Sequence, residues 1–134
     1  MRLAWSLISL ILLLFCIGFC AYAQESVWSV AGQQVLRLHA TVRGVSPAKR
    51  VEALDERLNN ILSRLGGKLG AEDIVLRKAR GTYSILVHKE LLVTVTAEDA
   101  AANKTKPELL AKTWLSNLRK TIPQVVPKVN REGA

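Results

Sequence analysis

The stretch LLVTVTAEDAAANKTKPELLAKTW, residues 91–114, runs from an apolar strand through the acids Glu98 and Asp99 into an amphipathic helix. A hydroxyl side chain at a helix start, followed by acids in the first turn, is typical of an N-terminal cap, because exposed N–H groups and the helix dipole favour negative charge there. We therefore interpret Thr96 as the cap and both acids as first-turn residues without a buried environment. This corner is predicted to be a connector and not a catalytic carboxylate pair.

The second part of the stretch repeats the capping pattern. Thr105 and Glu108 have the spacing of a capping box, in which each side chain bonds the backbone N–H of the other residue. The helix that follows carries an apolar stripe of Leu110, Trp114, Leu115, Leu118 and Ile122. Pro123 lacks a backbone N–H and is expected to stop the helix, so residues 123–134 are predicted to be an extended or disordered tail.

Upstream, residues 35–42 (VLRLHATV) alternate in a way that predicts a half-buried strand with a basic solvent face. Ser46 and Pro47 follow, and they have the pattern of an N-cap and a first-turn proline. The helix that they begin is predicted to reach Leu65. Its apolar stripe consists of Val51, Leu54, Leu58, Ile61, Leu62 and Leu65.

Three short strands are predicted between the two helices, at residues 73–79, 82–88 and 91–96, from their β-branched and aliphatic side chains. Their short links favour an antiparallel meander. Apolar residues on both faces of the last two predict strands that are central in the sheet or covered on both faces. The order β-α-β-β-β-α predicts an α+β fold. We expect a small sheet of about four largely antiparallel strands, with two amphipathic helices packed on one face.

The amino-terminal segment has the pattern of a secretory signal. Arg2 precedes an uncharged run, residues 3–20, and Ala21-Tyr22-Ala23 then supplies a small-residue cleavage pattern. We expect cleavage after Ala23 and a single exported domain at residues 24–122, in the periplasm or outside the cell. The alternative is a membrane anchor formed by uncleaved residues 3–20. Both cysteines lie in this segment, so no disulfide is expected in the domain.

Two tryptophans lie beyond the predicted cleavage point, and each has a predicted role. Trp28 lies just beyond the predicted cleavage point, and it is either a membrane-interface anchor or a packing residue of an N-terminal strand, SVWSV. Trp114 lies in the apolar stripe of the last helix. We therefore assign Trp114 to the core.

The chain is strongly basic, with a formal net charge of +8. Such a charge attracts anionic material over long range. For an exported protein the predicted partners are a membrane protein with an acidic surface, anionic lipid head groups or a wall polymer, and not nucleic acid. The oligomeric state is not indicated.

The candidate binding residues are basic. Arg37, His39, Arg77 and Lys89 are predicted to converge on an exposed sheet face and to form a patch for phosphate or carboxylate. The alternative is an ordinary solvated face that keeps a small basic protein soluble.

No catalytic or metal-binding pattern stands out. His39 and His88 are the only histidines, and neither has Cys, Asp or Glu at a spacing typical of a zinc site. No Ser, Cys or Lys lies in a recognisable nucleophile motif. We therefore expect neither an enzyme nor a cofactor.

Three segments carry a resemblance to a known family: SPAKRVEALDERL (46–58), LLVTVTAEDA (91–100) and KPELLAKTWLSNLRKTI (106–122). Together they resemble the helix, the T-x-x-D-A corner and the closing helix of the extracytoplasmic N-terminal module found in some large members of the small-conductance mechanosensitive-channel family. The sequence shows no counterpart of the channel itself. The resemblance therefore implies envelope sensing or partner binding, and not conduction.

Two functions follow as predictions. The first is a small exported envelope protein that acts as a non-enzymatic binding or accessory module for a membrane protein. The alternative is a binder of an anionic envelope ligand, either a phospholipid head group or a wall polymer, through the basic sheet face of Arg37 and Arg77.

Overall fold

The computed structural model describes residues 25–65, 67 and 69–126, and it confirms the predicted α+β class. The predicted signal segment and residues 127–134 of the predicted tail lie outside the described residues. The elements in chain order are β1 (Ser26–Val30), β2 (Gln33–Leu38), α1 (Pro47–Leu65), a 3-10 turn (Ala71–Asp73), β3 (Ile74–Ala79), β4 (Thr82–Val87), β5 (Glu90–Val95), α2 (Ala97–Ala102) and α3 (Pro107–Val125).

The strands form two antiparallel sheets rather than one. One sheet pairs β1 with β2, and the other has the order β3-β4-β5. The predicted strand 35–42 ends at Leu38 because the chain then folds into a tight turn, in which Val42 and Val45 exchange two backbone hydrogen bonds. This turn directs the chain into α1. The hairpin turn at Ala31-Gly32 pairs β2 with β1, and β2 does not join β5.

The hairpins use two-residue turns with left-handed backbone at both positions. This geometry suits the twist of paired strands, and it favours glycine at the second position. Ala31-Gly32 and Arg80-Gly81 follow that preference, and so does Arg43-Gly44 in the turn before α1. His88-Lys89 does not, because Lys89 adopts a φ of 69° without being glycine.

The core lies between the two long helices and the two sheets. Helix α3 contacts all five strands. Helix α1 contacts both strands of the two-stranded sheet and β5 of the other sheet. Trp114 is buried, and so is Trp28, whose indole N–H donates to Asp55 Oδ1 at 2.6 Å. Trp28 is therefore a packing residue of β1. No helix within the described ranges is long and apolar enough to cross a membrane.

The outer face of the three-stranded sheet is only partly covered. Ile85 and Val87 of β4 belong to the core, and strand alternation places Leu86 on the opposite face. There Leu86 is buried between its cross-strand neighbours Val75 and Leu91, which are 40% and 45% exposed. The expectation of strands that are central or covered on both faces is therefore confirmed for β4, which lies between β3 and β5, and wrong for β5, which is an edge strand of the described sheet with Leu91 exposed.

Two of the proposed caps have the expected geometry. Ser46 Oγ accepts the Lys49 N–H at 3.3 Å at the start of α1. Thr96 Oγ1 accepts the Asp99 N–H at 3.1 Å, and Asp99 Oδ2 accepts the Thr96 N–H at 3.3 Å, which completes a capping box at the start of α2.

The predicted capping box of Thr105 and Glu108 is wrong. Because Pro107 occupies the first helical position of α3, the N-cap is Lys106, and Thr105 lies one residue outside the helix. Glu108 instead accepts a hydrogen bond from Lys112 Nζ at 2.8 Å. That hydrogen bond, together with the Lys112 charge, lowers the pKa of the Glu108 carboxyl from its usual value.

Pro123 does not stop the last helix, which continues to Val125. A proline removes only its own N–H, and the surrounding turn is held by packing, since Ile122 and Val126 are buried in the core. Gln124 Nε2 also donates to Lys120 O at 2.8 Å. The folded domain therefore extends past residue 122, and the predicted tail is shortened at its start.

The expectation that Asp99 is an exposed first-turn acid is also wrong. Asp99 is fully buried, and its two carboxylate oxygens accept hydrogen bonds of 2.7 Å from Nη1 and Nη2 of Arg50. Arg50 Nη1 also donates to Ala40 O at 3.0 Å. This bidentate pair joins the first turn of α1, the segment after β2 and the corner between β5 and α2.

We expect Asp99→Asn to lower the free energy of unfolding by about 3 kcal/mol, because it leaves the Arg50 guanidinium without its charge partner. Glu98→Gln is the matched control, since Glu98 is the exposed acid next to it, and should change stability by less than about 0.5 kcal/mol. Urea denaturation measures both. Equal losses in the two variants would contradict the structural role of the pair.

We expect Thr96→Ala to lower the free energy of unfolding by about 1 kcal/mol, because it removes an N-cap. Thr105→Ala should stay within about 0.5 kcal/mol of the unchanged protein, because Thr105 caps nothing. Thermal unfolding followed by circular dichroism measures both changes. A loss of stability in Thr105→Ala as large as that in Thr96→Ala would support the capping box predicted from the sequence instead.

Candidate functional site

Three arginines of α1 lie along the open edge of β5. Arg50, Arg57 and Arg64 are seven residues apart, which is close to two helical turns and places them on one stripe of the helix. Arg50 binds Asp99 beyond the end of β5, Arg57 Nη1 donates to Leu92 O at 3.0 Å, and Arg64 Nη2 binds Glu90 Oε2 at 2.7 Å. Helix α1 therefore runs antiparallel to β5 and is fastened to it at three points.

The three arginines differ in how their charge is balanced. Arg50 and Arg64 each pair with a carboxylate. Arg57 contacts a backbone carbonyl, and within the described residues no carboxylate forms an ion pair with it. Because a guanidinium carries five N–H donors, most of the Arg57 donors are available to a ligand.

A groove opens beside Arg57, between α1, β5, the end of β2 and the Val42–Val45 turn. It has a volume of about 480 Å³, which falls in the range of small-molecule sites. We call it the arginine groove. Its lining residues are Leu38, Val42, Arg43, Val45, Arg50, Ala53, Leu54, Arg57, Leu91, Val93, Thr94 and Thr96.

The arginine groove combines an apolar wall with positive charge. Arg43 stands at the tip of the Val42–Val45 turn, where its backbone is left-handed with a φ of 50°. Like Arg57, Arg43 forms no ion pair with a carboxylate in the described parts of the chain. Among the residues that the structure describes, no acid, histidine or cysteine lines the groove. Such a lining can hold a carboxylate or phosphate whose remainder is apolar.

Of the predicted site residues, Arg37 lies on β2 of the two-stranded sheet, and His39 directly follows that strand. Arg37 Nη1 is 3.3 Å from Glu25 Oε1, and Arg37 Nη2 donates to Gln34 Oε1 at 3.2 Å. His39 Nδ1 is 4.0 Å from the other oxygen of Glu25. A neighbouring acid therefore offsets part of the positive charge predicted here.

The other two lie on the three-stranded sheet. Arg77 faces outward on β3 opposite Ser84, and Lys89 occupies the turn between β4 and β5. The predicted patch of Arg37, His39, Arg77 and Lys89 is thus divided between two sheets, because β2 pairs with β1 and not with the meander.

Sequence reasoning missed Arg43, Arg57 and the buried pair of Arg50 with Asp99. The seven-residue repeat of arginine in α1 was the available signal, since it places three cations on one stripe beside the apolar one. Arg43 gave no such signal. Its position depends on the turn that follows β2.

The histidines lie apart from one another. His88 Nδ1 is 3.9 Å from Asp73 Oδ1, and His39 is near Glu25. Across residues 25–65, 67 and 69–126, no group of three or more His, Cys, Asp or Glu side chains could hold a metal ion.

Comparison with known proteins gives one family. A family described as a domain of unknown function (DUF8459) matches residues 26–125. No curated protein and no solved structure matches the chain. The matched range begins at the first residue of β1 and ends at the last residue of α3, so it contains both sheets, all three helices and the arginine groove. The chain therefore belongs to the DUF8459 family.

Proposed function

We propose that this protein is a small exported envelope protein that acts by binding rather than catalysis, and that it binds an anion attached to an apolar body. The observation that carries the proposal is the position of Arg43 and Arg57 in an apolar groove without a facing carboxylate. A cation in such a place is balanced by solvent ions or by a ligand. The arginine groove is accordingly the proposed site.

The groove separates the two parts of such a ligand. Arg57 and Arg43 supply N–H donors for a carboxylate or phosphate, and hydrogen bonds between two charged groups are stronger than neutral ones. Leu54 and Val93 supply a wall that is already buried, while Val45 and Leu91 are exposed at the margin. An apolar chain laid against Val45 and Leu91 would remove their exposed surface, and its own, from water.

The composition of the groove favours binding over catalysis. A general base or an activated nucleophile requires an acid, histidine, cysteine or paired hydroxyl near the reacting atom. The groove offers two threonines, and Thr96 already exchanges hydrogen bonds with Asp99. The arginines can orient and hold an anion.

The proposal keeps the anionic ligand predicted from the sequence and moves its site from the sheet face to the groove. Export stays a prediction that depends on residues 1–23. The role as an accessory module for a membrane protein also stays a prediction, and so does the resemblance to the mechanosensitive-channel module.

We expect Arg57→Gln to weaken binding of octyl phosphate about tenfold, because the charged hydrogen bonds to the phosphate are lost. Arg77→Gln is the matched control, since it removes the same charge from the outer sheet face and should leave the affinity unchanged. Isothermal titration measures the affinity, with octanol as the uncharged comparison ligand. Loss of binding in Arg77→Gln alone would return the site to the sheet face predicted from the sequence.

A further inference from the structure

An exposed apolar strip borders the arginine groove on both sides. Val45, which is 42% exposed, lies on the turn at one side, and Leu91, which is 45% exposed, lies on β5 at the other. Leu91 continues through Leu86 to Val75 in one cross-strand row on the outer face of the meander. We call these four residues the apolar strip. Leu86 is buried within this row, whereas Val45, Leu91 and Val75 are exposed. Exposed apolar side chains grouped in this way are typical of interaction surfaces.

Cations surround the apolar strip. Arg43 lies two residues before Val45, and Lys89 lies two residues before Leu91. Arg77 is two residues from Val75, so strand alternation places it on the same face. The nearest acid along β5 is Glu90, and Arg64 binds its carboxylate at 2.7 Å. Asp73 is also two residues from Val75, and its carboxylate accepts the Gly70 N–H and lies 3.9 Å from His88 Nδ1. The strip therefore presents apolar side chains within a mostly positive border.

Lys89 strengthens this pattern. Its backbone is left-handed with a φ of 69°, at a turn position where the other two hairpins have glycine. A lysine here is strained relative to glycine. The charge therefore stands beside Leu91 in spite of an unfavourable backbone.

We propose that the apolar strip docks on a membrane surface that contains anionic phospholipid. Val45 and Leu91 enter the boundary between head groups and acyl chains, and the arginine groove takes the phosphate of one lipid. This inference rests on the proposed function, because it names the source of the anion that the groove binds.

A lipid surface fits these observations better than a partner protein does. Anionic lipids supply negative charge all around the inserted side chains, which matches a border made mostly of cations. A partner protein would need a ring of acids arranged around a narrow apolar centre. The groove also opens between Val45 and Leu91, where a single lipid could leave the surface to enter it.

The test compares binding of the full protein to vesicles of phosphatidylcholine alone and to vesicles with three parts in ten of phosphatidylglycerol. Every variant carries the same amino-terminal segment, so a difference in vesicle binding between two variants comes from the substituted residues. We expect tighter binding to the anionic vesicles, lost in 0.5 M salt because exposed charges are then screened.

Two matched pairs of variants locate the surface. Val45→Ser combined with Leu91→Ser should weaken binding about tenfold, because less apolar area is buried. Leu109→Ser should not, although Leu109 is 54% exposed on α3. Arg43→Gln should weaken binding about fivefold. Arg80→Gln should not, although Arg80 also precedes a glycine in a turn with a φ of 50°. Circular dichroism checks that each variant is folded.

Three results would overturn the inference: equal binding to neutral and anionic vesicles, equal losses in the control variants, or cross-linking from Leu91 to a protein without vesicle binding. If octyl phosphate still binds in that last case, the proposed function stands and only the membrane source fails. If vesicle binding depends on Val45 and Leu91 but not on Arg57, docking stands and the groove is not the lipid site.

Discussion

The buried pair of Arg50 and Asp99 is the contact that holds the start of α1 against the end of β5. It joins three segments that are far apart in the sequence, and it does so where Asp99 has no access to water. Burying a carboxylate is costly unless a charged partner and hydrogen bonds replace water, and here Arg50, the Thr96 N–H and the Thr96 hydroxyl all do so. The pair fixes the start of α1 against the end of β5. The direction of α1, and with it the positions of Arg57 and Arg64, follows from that anchor.

The three arginines of α1 have different roles because each has different neighbours. Arg50 is a buried structural charge, and Arg64 forms an exposed pair with Glu90 of the kind that contributes little to stability. Arg57 lies between them, and among the described residues its side chain donates to a carbonyl oxygen and pairs with no carboxylate. The buried pair of Arg50 holds the first turn of α1 beside the end of β5, and Arg57 follows two turns later at the groove. This arrangement makes its charge available to a ligand.

Local patterns in the sequence were sufficient for most elements. The apolar stripes of α1 and α3 and the β-branched runs of β3, β4 and β5 predicted those elements to within a few residues, because periodicity reports which side of an element is buried. Features that depend on which elements meet could not be predicted this way. The burial of Asp99 requires Arg50 to arrive from a distant helix, and the division into two sheets requires β2 to pair with β1 and not with the meander. The arginine groove could not be predicted for the same reason, since Arg43 and Arg57 line one groove only after α1 has packed beside β5.

The open edge of β5 explains why a groove persists at this place. An unpaired edge strand invites another strand, and proteins protect such edges with bulges and with charged side chains. Here the pairing of β5 with β4 shifts register so that Leu92 has no partner on β4, and the Arg57 guanidinium covers the carbonyl of that same residue. A strand can therefore not add to β5 without displacing Arg57, and the space between β5 and β2 stays open. Arg57 thus has two roles: it blocks strand addition at the edge of β5, and it supplies the cation of the groove for the proposed binding of an anion.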